Sequence, residues 1–215
     1  MSKILGICGS PRKGTTETVL SAALEAAASL GPDIETELLT LRGKTIAPCN
    51  GCGYCKKNKT HCIIDDDMRE LFDKLLEADG FLIASPVYVH TVTPQLMAFF
   101  SRMRPIHHMF HDAVNDKPAA AIAVGGTRNG GQESAVNTII HLMMTRGMNI
   151  VSNEIGGYIG GKVWSRDKAG FTPADDETGM NTVIPLALKL ARNVRIRQAG
   201  LAWLEGRLDR RENAG

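Results

Sequence analysis

Short apolar runs that stop at glycine or proline alternate along this chain with segments of helical periodicity. The apolar runs lie at residues 3–8, 34–41, 81–84, 119–124 and 148–152, and the helical segments lie at 16–30, 65–78, 95–103, 132–146 and 181–197. Strands that alternate with helices form βαβ units, in which the strands are parallel and helices cover both faces of the sheet. The alternation therefore predicts an α/β fold with a doubly wound parallel sheet.

Five strands in this rhythm favour the flavodoxin-like strand order 2-1-3-4-5 over a six-stranded dinucleotide fold. The 215 residues contain no internal repeat, low-complexity tract or linker, so we predict a single domain over residues 1–215. Two parts of the chain lie outside the alternation. They are a cysteine-rich insert at 48–63, predicted to bind a metal cluster, and a C-terminal tail at 198–215. The glycine-rich stretch 153–176 is typical of a long loop or hairpin.

The charge of the chain is nearly balanced, with 25 Lys and Arg against 23 Asp and Glu, a formal net charge of +2. This balance provides no electrostatic footprint for nucleic acid or for an anionic membrane, so we expect neither as a partner. No apolar run approaches the ~20 residues of a membrane span, and the first residues do not resemble a signal peptide. We therefore expect a soluble, cytoplasmic protein.

The loop at residues 9–16, between the first strand and the first helix, has the features of an anion site. Backbone N–H groups at a helix start attract anions. The loop adds hydroxyl groups and a guanidinium, from Ser10, Thr15, Thr16 and Arg12. Thr15 stands where a Walker loop needs its lysine, and the Gly-x-Gly-x-x-Gly dinucleotide fingerprint is missing. A phosphate cradle and an ordinary βα turn with Thr16 as helix N-cap remain the two interpretations.

Two further loops follow later strands, and in a doubly wound sheet they share the carboxyl edge with the first loop. The loop at 85–90 contains Pro86, Val87 and Tyr88, a rigid and aromatic stretch suited to face a flat ring. The loop at 125–133 is rich in glycine, which lets backbone lie close to a ligand. Tyr88 alone would be a half-buried core aromatic, but the three loops together favour flavin mononucleotide (FMN) as the cofactor.

Four of the five cysteines fall within fourteen positions, with the spacing Cys-x2-Cys-x2-Cys-x6-Cys: Cys49, Cys52, Cys55 and Cys62. Three thiolates at this spacing can wrap one side of a compact cluster, and the fourth closes it. Structural zinc sites usually use two separated pairs, so the spacing favours a [4Fe–4S] cluster, with zinc or free redox-active thiols as alternatives. Cys8, inside the first strand, is expected to be a small core residue.

These motifs resemble those of the iron–sulfur flavoprotein family, within the flavodoxin-like NAD(P)H-dependent FMN reductases. The matching stretches are 9–14, the four-cysteine segment, 64–68, 85–88 and 125–133, and the resemblance runs over most of residues 3–195. The first loop and the Pro-Val-Tyr loop are shared by the whole reductase group. The four cysteines, combined with the Gly-Gly-Gln-Glu loop, are the specific part.

The resemblance implies one FMN and one [4Fe–4S] cluster per subunit. It also implies a homo-oligomer, expected to be a tetramer, and transfer of electrons from a reduced ferredoxin through the cluster to the flavin. The residues that match the cluster ligands are Cys49, Cys52, Cys55 and Cys62. The residues that match the phosphate loop are Ser10, Arg12, Gly14, Thr15 and Thr16. The residues that match the ring contacts are Pro86, Val87, Tyr88, Gly126, Thr127, Arg128, Gly130, Gly131 and Gln132.

The helix after the Pro-Val-Tyr loop departs from the wider group, which often carries a Lys and an Asp-Arg pair there. In this chain Met97, Ser101 and Arg102 stand in those places. Thr15 and Thr16 also replace the commoner small-Asn pair of the cradle, a change that keeps hydroxyl donors.

We find no dedicated acid–base pair, and electron transfer needs none because the cofactors carry the chemistry. His107, His108 and His111 lie close together, and an exposed helix end explains them without a metal. Asp67 and Glu70 have the spacing of a helix capping box.

The rival functions are an NAD(P)H-dependent FMN or quinone reductase without a cluster, and a flavin- or metal-binding regulatory module without turnover.

Overall fold

The computed structural model of the protein describes residues 1–110, 113–154 and 156–212. Its sheet is built from β1 (Ser2–Cys8), β2 (Ile34–Thr40), β3 (Gly80–Pro86), β4 (Pro118–Gly125), β5 (Asn149–Ile150) and β6 (Gly161–Trp164). The strand order is β2-β1-β3-β4-β5 and every pairing is parallel. The predicted flavodoxin-like order is therefore confirmed.

The helices are α1 (Thr15–Ala28), α2 (Tyr54–Asn58), α3 (Met68–Glu77), α4 (Pro94–Arg102), α5 (Ile106–Met109), α6 (Gln132–Met144) and α7 (Glu177–Glu212). They cover both faces of the sheet and bury a separate apolar core on each. Leu71, Phe99 and Ile139 bring α3, α4 and α6 into one core. Leu20 and Leu190 bring α1 and α7 into the other. This is the doubly wound arrangement that the sequence predicts.

The stretch 153–176 differs from the predicted loop or hairpin, because β6 lies within it. This strand pairs with β4 from Ile122 to Gly125, whereas β5 pairs with Pro118 and Ala119. β3 occupies the other edge of β4 along almost its whole length. β5 and β6 therefore lie one after the other along the same edge of β4. Together they occupy the fifth strand position of the sheet.

The last helix is longer than predicted at both ends. The sequence predicts a helix over 181–197 and a tail over 198–215, but α7 begins at Glu177 and continues to Glu212. Most of the predicted tail is thus helical. Its Leu201, Trp203 and Leu204 are exposed. His111 lies outside the described residues. Within the described ranges, no helix has both the length and the apolar character needed to cross a membrane.

Candidate functional site

The loop between β1 and α1 leaves the helix start open. α1 is capped by Gly14 without a side-chain hydrogen bond, so the interpretation of Thr16 as N-cap is wrong. The first N–H groups of a helix have no acceptor inside it and remain available to an anion. Ser10 Oγ donates to the carbonyl oxygen of Arg12 at 2.7 Å, which turns the loop, and the Arg12 side chain is exposed. The helix start therefore has N–H groups without a side-chain acceptor, and the phosphate cradle stays a prediction.

Two ionisable groups, Glu17 and Cys8, lie beside this loop, and their immediate surroundings determine their charge. Glu17, in the first turn of α1, pairs with Arg42 at 3.5 Å, so its negative charge is partly neutralised. Cys8, at the end of β1, is fully buried, and burial raises the pKa of its thiol to about 11. The thiol is protonated at neutral pH, as expected of a core cysteine.

The cradle loop is fastened to β3 and α4 by buried hydrogen bonds. The Gly9 N–H donates to the Ala84 carbonyl at 2.7 Å, and the Gly9 carbonyl accepts from Thr93 Oγ1 at 2.7 Å. The Thr93 N–H donates to Ser85 Oγ at 3.2 Å, and its hydroxyl oxygen also caps α4. Thr93 is a site-building residue that sequence reasoning missed, although a Thr directly before a Pro is a recognisable helix start.

The loop after β3 ends in a tight two-residue turn. Tyr88 and Thr91 exchange backbone hydrogen bonds of 2.8 and 2.9 Å. Val89 and His90, between them, have φ values of 47° and 60°. Both residues thus adopt the left-handed backbone that such turns require, although Val is β-branched and rarely does so. Val89 is 97% exposed and Tyr88 is partly exposed, so the turn presents its side chains outward.

The loop after β4 is shaped by its own glutamine. Gln132 is buried, its Oε1 accepts from the Gly130 N–H at 2.9 Å, and its Nε2 donates to the Thr127 carbonyl at 2.7 Å. Gly131 has a φ of 92°, and a Cβ placed there would lie 2.9 Å from the His90 Cα. The loops after β3 and β4 therefore contact one another, and the contact needs a glycine.

Trp164, at the end of β6, supports this loop from the side. Its Nε1 donates to the Gly126 carbonyl at 3.0 Å, and the Arg128 guanidinium lies 4.9 Å from its ring centroid. Sequence reasoning missed Trp164 because β6 was not predicted. A cavity of about 490 Å³ opens beside the loop, and its lining includes Arg128, Tyr158, Lys162 and Trp164. Aromatic and cationic groups thus adjoin the predicted ring contacts.

The predicted cluster ligands lie on the segment 48–63, which is irregular apart from α2. Cys55 is buried on α2, Cys52 is exposed, and Cys49 and Cys62 are half-buried. Within the described ranges, no three His, Cys, Asp or Glu side chains lie close enough together to hold a metal ion. The four thiols are on one segment but are not gathered into a ligand set, so their role as cluster ligands stays a prediction.

Both ends of this segment are fixed by the carboxyl end of α4. The Cys49 N–H donates to Ser101 Oγ at 3.0 Å. Arg102 donates to the carbonyl oxygens of Ala47 at 2.8 Å and Ile64 at 3.1 Å, just outside the first and last cysteines. Ser101 and Arg102, two of the residues that stand at the departing positions, therefore have a local structural role.

Asp66 completes this anchor. Its two carboxylate oxygens accept from Arg102 at 2.6 and 3.0 Å, and one of them also accepts from the Ala47 N–H at 2.9 Å. Asp67 accepts from the Thr45 N–H at 2.6 Å and makes no cap hydrogen bond to α3, so the predicted capping box is wrong. The aspartates before α3 instead tie down the chain that leads into the cysteine segment.

The ion pair of Arg102 and Asp66 is shielded from water, with side chains 1% and 6% exposed. Burial by itself would raise the pKa of Asp66, but hydrogen bonds from Arg102 and from the backbone of Ala47 and Met68 outweigh it and lower the pKa. For Arg102, burial acts to lower the pKa, and Asp66 and the nearby Cys62 more than reverse this. Both groups are therefore charged at neutral pH.

Comparison with known proteins finds relatives along most of the chain. The family model of NADPH-dependent FMN reductases matches residues 2–157. An iron–sulfur flavoprotein of Methanosarcina thermophila is 40% identical over 190 residues, which cover 87% of this chain and 93% of that protein. An iron–sulfur flavoprotein of Archaeoglobus fulgidus is 42% identical over 175 residues, which cover 81% of this chain and 88% of that protein.

A solved structure gives the same picture of the fold. The WrbA-like flavodoxin of Agrobacterium tumefaciens superposes with a TM-score of 0.62 at 16% sequence identity, over 91% of this chain and 98% of that one. At this identity the likeness concerns the fold.

Proposed function

This chain belongs to the iron–sulfur flavoprotein family, within the flavodoxin-like FMN reductase superfamily, and from that premise we propose that it transfers electrons from a ferredoxin-like donor through a [4Fe–4S] cluster to FMN and on to an acceptor. FMN is assigned to the three loops at the carboxyl edge of the sheet, and the cluster to the segment 48–63. When bound, the cluster exchanges single electrons and the flavin one or two.

The observation that carries this proposal is that one helix joins the two regions. α4 begins at the hydrogen bonds of Thr93 to Gly9 and Ser85, which belong to the loops of the flavin edge. It ends at Ser101 and Arg102, which bind the cysteine segment. α4 has nine residues, a length of about 13 Å. A short and rigid element thus sets the spacing between the two proposed cofactor sites.

Residues of the carboxyl edge fit FMN in their chemistry. The open start of α1 and the hydroxyls of Thr15 and Thr16 suit a phosphate, and the exposed Arg12 adds a cation. The turn at Tyr88 and the glycine-rich loop after β4 suit a flat ring. We assign the ring contacts inferred by resemblance to Pro86, Val87, Tyr88, Gly126, Thr127, Arg128, Gly130 and Gly131. Gln132 shapes the loop after β4, which carries the residues from Gly126 to Gly131.

The residue types of the cysteine segment also suit an iron–sulfur cluster. Four thiols on sixteen residues supply the donor chemistry of such clusters. Gly51 and Gly53 have φ values of 74° and 73°, and a Cβ at either would meet nothing within 4 Å, so the chain there has room to turn. Arg102, whose buried Nε–H has no hydrogen-bond partner, lines the same small cavity as Cys62. Cys49, Cys52, Cys55 and Cys62 would hold the cluster.

Anaerobic stopped-flow reduction of the flavin tests this function. We expect a reduced ferredoxin to reduce the FMN of the natural protein rapidly. Cys52→Ser should retain FMN and lose this reduction, because the change removes a proposed ligand at an exposed position outside the three loops assigned to FMN. Cys8→Ala is the matched control, since Cys8 is buried in β1, and its flavin reduction should be unchanged. Equal rates in Cys52→Ser and the natural protein would contradict the proposal.

A second candidate function is NADPH-dependent reduction of FMN or of a quinone without a cluster. The match to the NADPH-dependent FMN reductase model favours it, as does the absence of gathered metal ligands among the described residues. Rapid flavin reduction by NADPH alone, with the same rate in Cys52→Ser, would select this candidate.

The proposal includes a homotetramer in the cytoplasm with a ferredoxin or similar donor as its partner. Exposed apolar residues on the last part of α7, such as Ile196 and Leu204, support self-association. Size-exclusion chromatography with light scattering would measure the oligomeric state, and a monomer at micromolar concentration would contradict this part.

A further inference from the structure

The proposed function does not by itself explain why the Arg102 side chain is so deeply buried and so extensively hydrogen-bonded. Its side chain is 1% exposed, which is rare for an arginine and requires that its donors be satisfied. A guanidinium has five N–H donors. Nη1 donates to Asp66 and Ala47, and Nη2 donates to Asp66 and Ile64. These four bonds use the four N–H groups on Nη1 and Nη2. The fifth N–H group, on Nε, takes no part in them.

The Nε–H of Arg102 is buried without a hydrogen-bond partner. Leaving a buried donor unpaired is costly, so such an atom indicates an acceptor that is completed only in another state of the protein. Cys62 and Arg102 line the same small cavity, together with Ile64, Met68 and Phe72. His61 also lines this cavity, and Cys62 is the lining residue whose side chain becomes anionic when it ligates a cluster, so its sulfur is the acceptor that suits Nε.

We propose that Arg102 is a positioning residue that clamps both ends of the cysteine segment and donates its Nε–H to the sulfur of Cys62 once that sulfur is a cluster ligand. The proposal rests on the proposed function, because a ligating thiolate is a far better acceptor than a thiol. Hydrogen bonds to ligand sulfurs set cluster potentials. A donated N–H stabilises the more negative, reduced cluster, so Arg102 raises the reduction potential.

The clamp and the hydrogen bond are distinguished by two different measurements on the same variants. Arg102→Met removes both and leaves Asp66 buried and unpaired, which is strongly destabilising. Arg102→Met with Asp66→Asn removes the unpaired charge and keeps an acceptor for the Ala47 N–H, but it does not restore the bond to Cys62. Arg69→Met is the matched control. Arg69 is an exposed cation that lines the same cavity as Cys62, so its loss changes the local charge alone.

The clamp is tested on metal-free protein by limited trypsin digestion, because Lys56, Lys57 and Lys59 lie inside the segment. We expect Arg102→Met to be cut there roughly tenfold faster than the natural protein, since the segment ends open more often. The double variant still lacks the Arg102 bonds to Ala47 and Ile64, so it should also be cut faster than the natural protein, whereas Arg69→Met should match the natural protein. Equal cleavage of Arg102→Met and the natural protein would overturn the clamp. This result does not depend on whether a cluster is bound.

The hydrogen bond to Cys62 is tested by a redox titration of cluster-loaded protein, followed by electron paramagnetic resonance. In the double variant the ratio of reduced to oxidised cluster at a fixed potential should fall about tenfold, which is about 59 mV for one electron. Arg69→Met should shift it far less. A double variant with the natural potential would overturn the bond to Cys62 and leave Arg102 with a purely structural role. If the natural protein assembles no cluster when it is incubated anaerobically with iron and sulfide, both the proposed function and the hydrogen bond to Cys62 are refuted. The clamp is then decided by the trypsin result alone.

Discussion

The two ends of α4 organise their surroundings in different ways. At its amino end, the flavin edge is held by bonds that involve backbone groups of β1, β3 and the loops after them, such as Gly9 N–H to Ala84. At its carboxyl end, the cysteine segment has little regular structure and is held by side chains, chiefly Arg102 and Asp66. The conformation of the first region follows from the backbone bonds of the sheet, whereas the position of the second region depends on a few side chains.

This difference indicates how each region responds to change. Backbone geometry at the flavin edge is fixed when the sheet forms, so glycines and buried hydroxyls matter there more than charges. The cysteine segment has open space around Gly51 and Gly53, so neighbouring atoms do not restrict its backbone there. Its position, but not its internal conformation, is set by the fold. The predictions below test that contrast.

The largest effect is expected at the contact between the loops after β3 and β4. Gly131→Ala adds a Cβ 2.9 Å from the His90 Cα in a residue with a φ of 92°. We expect the free energy of unfolding to fall by about 3 kcal/mol, from the left-handed backbone and the overpacking together, with loss of FMN during gel filtration. Urea denaturation of the apoprotein measures the first effect. A change below about 1 kcal/mol would mean that the loops are not in fixed contact.

A smaller effect is expected from Thr93→Val, which preserves shape and removes the hydroxyl. The change deletes the cap of α4 and leaves the buried Gly9 carbonyl without this donor. The free energy of unfolding should fall by about 2 kcal/mol, and FMN should bind more weakly. Thr145→Val, at the exposed carboxyl end of α6, is the control and should change stability by less than about 0.5 kcal/mol. Equal behaviour of the two variants would refute the role given to Thr93.

The cysteine segment should tolerate the same glycine change better than the flavin edge does. Gly51→Ala has a comparable φ of 74° but meets nothing within 4 Å. The free energy of unfolding of the apoprotein should therefore fall by about 1 kcal/mol, from the backbone alone. Measured beside Gly131→Ala, an equal or larger loss would reverse the contrast between the two regions.

Acid below pH 3.8 should loosen the cysteine end of α4 before the flavin end. The folded pKa of Asp66 lies below its ordinary value of 3.8, so its stabilising contribution is complete above that value and is lost as pH falls through the folded pKa. The group that faces it is Arg102, which stays charged. Hydrogen exchange of apoprotein, corrected for the intrinsic rate, should show the Ala47 amide losing protection at a higher pH than the Gly9 amide. Simultaneous loss would argue against separate anchoring.

Much of the flavin edge could be predicted from the sequence because it follows from local patterns. Apolar runs that end at glycine or Ser-Pro place β1, β3 and β4, and parallel packing then brings their loops to one edge. β6 was not predictable in this way, since Gly161–Trp164 is a four-residue run inside a glycine-rich stretch. Trp164 and its bond to Gly126 were missed with it.

The anchor of the cysteine segment could not be predicted, because it depends on contacts between distant residues. Arg102 lies 36 positions from Asp66 and 55 from Ala47. A charged residue at the end of an amphipathic helix is ordinarily exposed, and local patterns give no sign that this one is buried. The same limit applied to Asp67, whose carboxylate binds Thr45 instead of capping α3.

The central claim is that one chain carries a flavin and an iron–sulfur cluster at opposite ends of α4. The most direct measurement is the content of iron, acid-labile sulfide, zinc and FMN in anaerobically purified protein. The account predicts about four iron and four sulfide per FMN, in Cys8→Ala as in the natural protein, and retention of FMN without iron in Cys52→Ser. One zinc per chain in place of iron, or protein that binds no FMN, would contradict it.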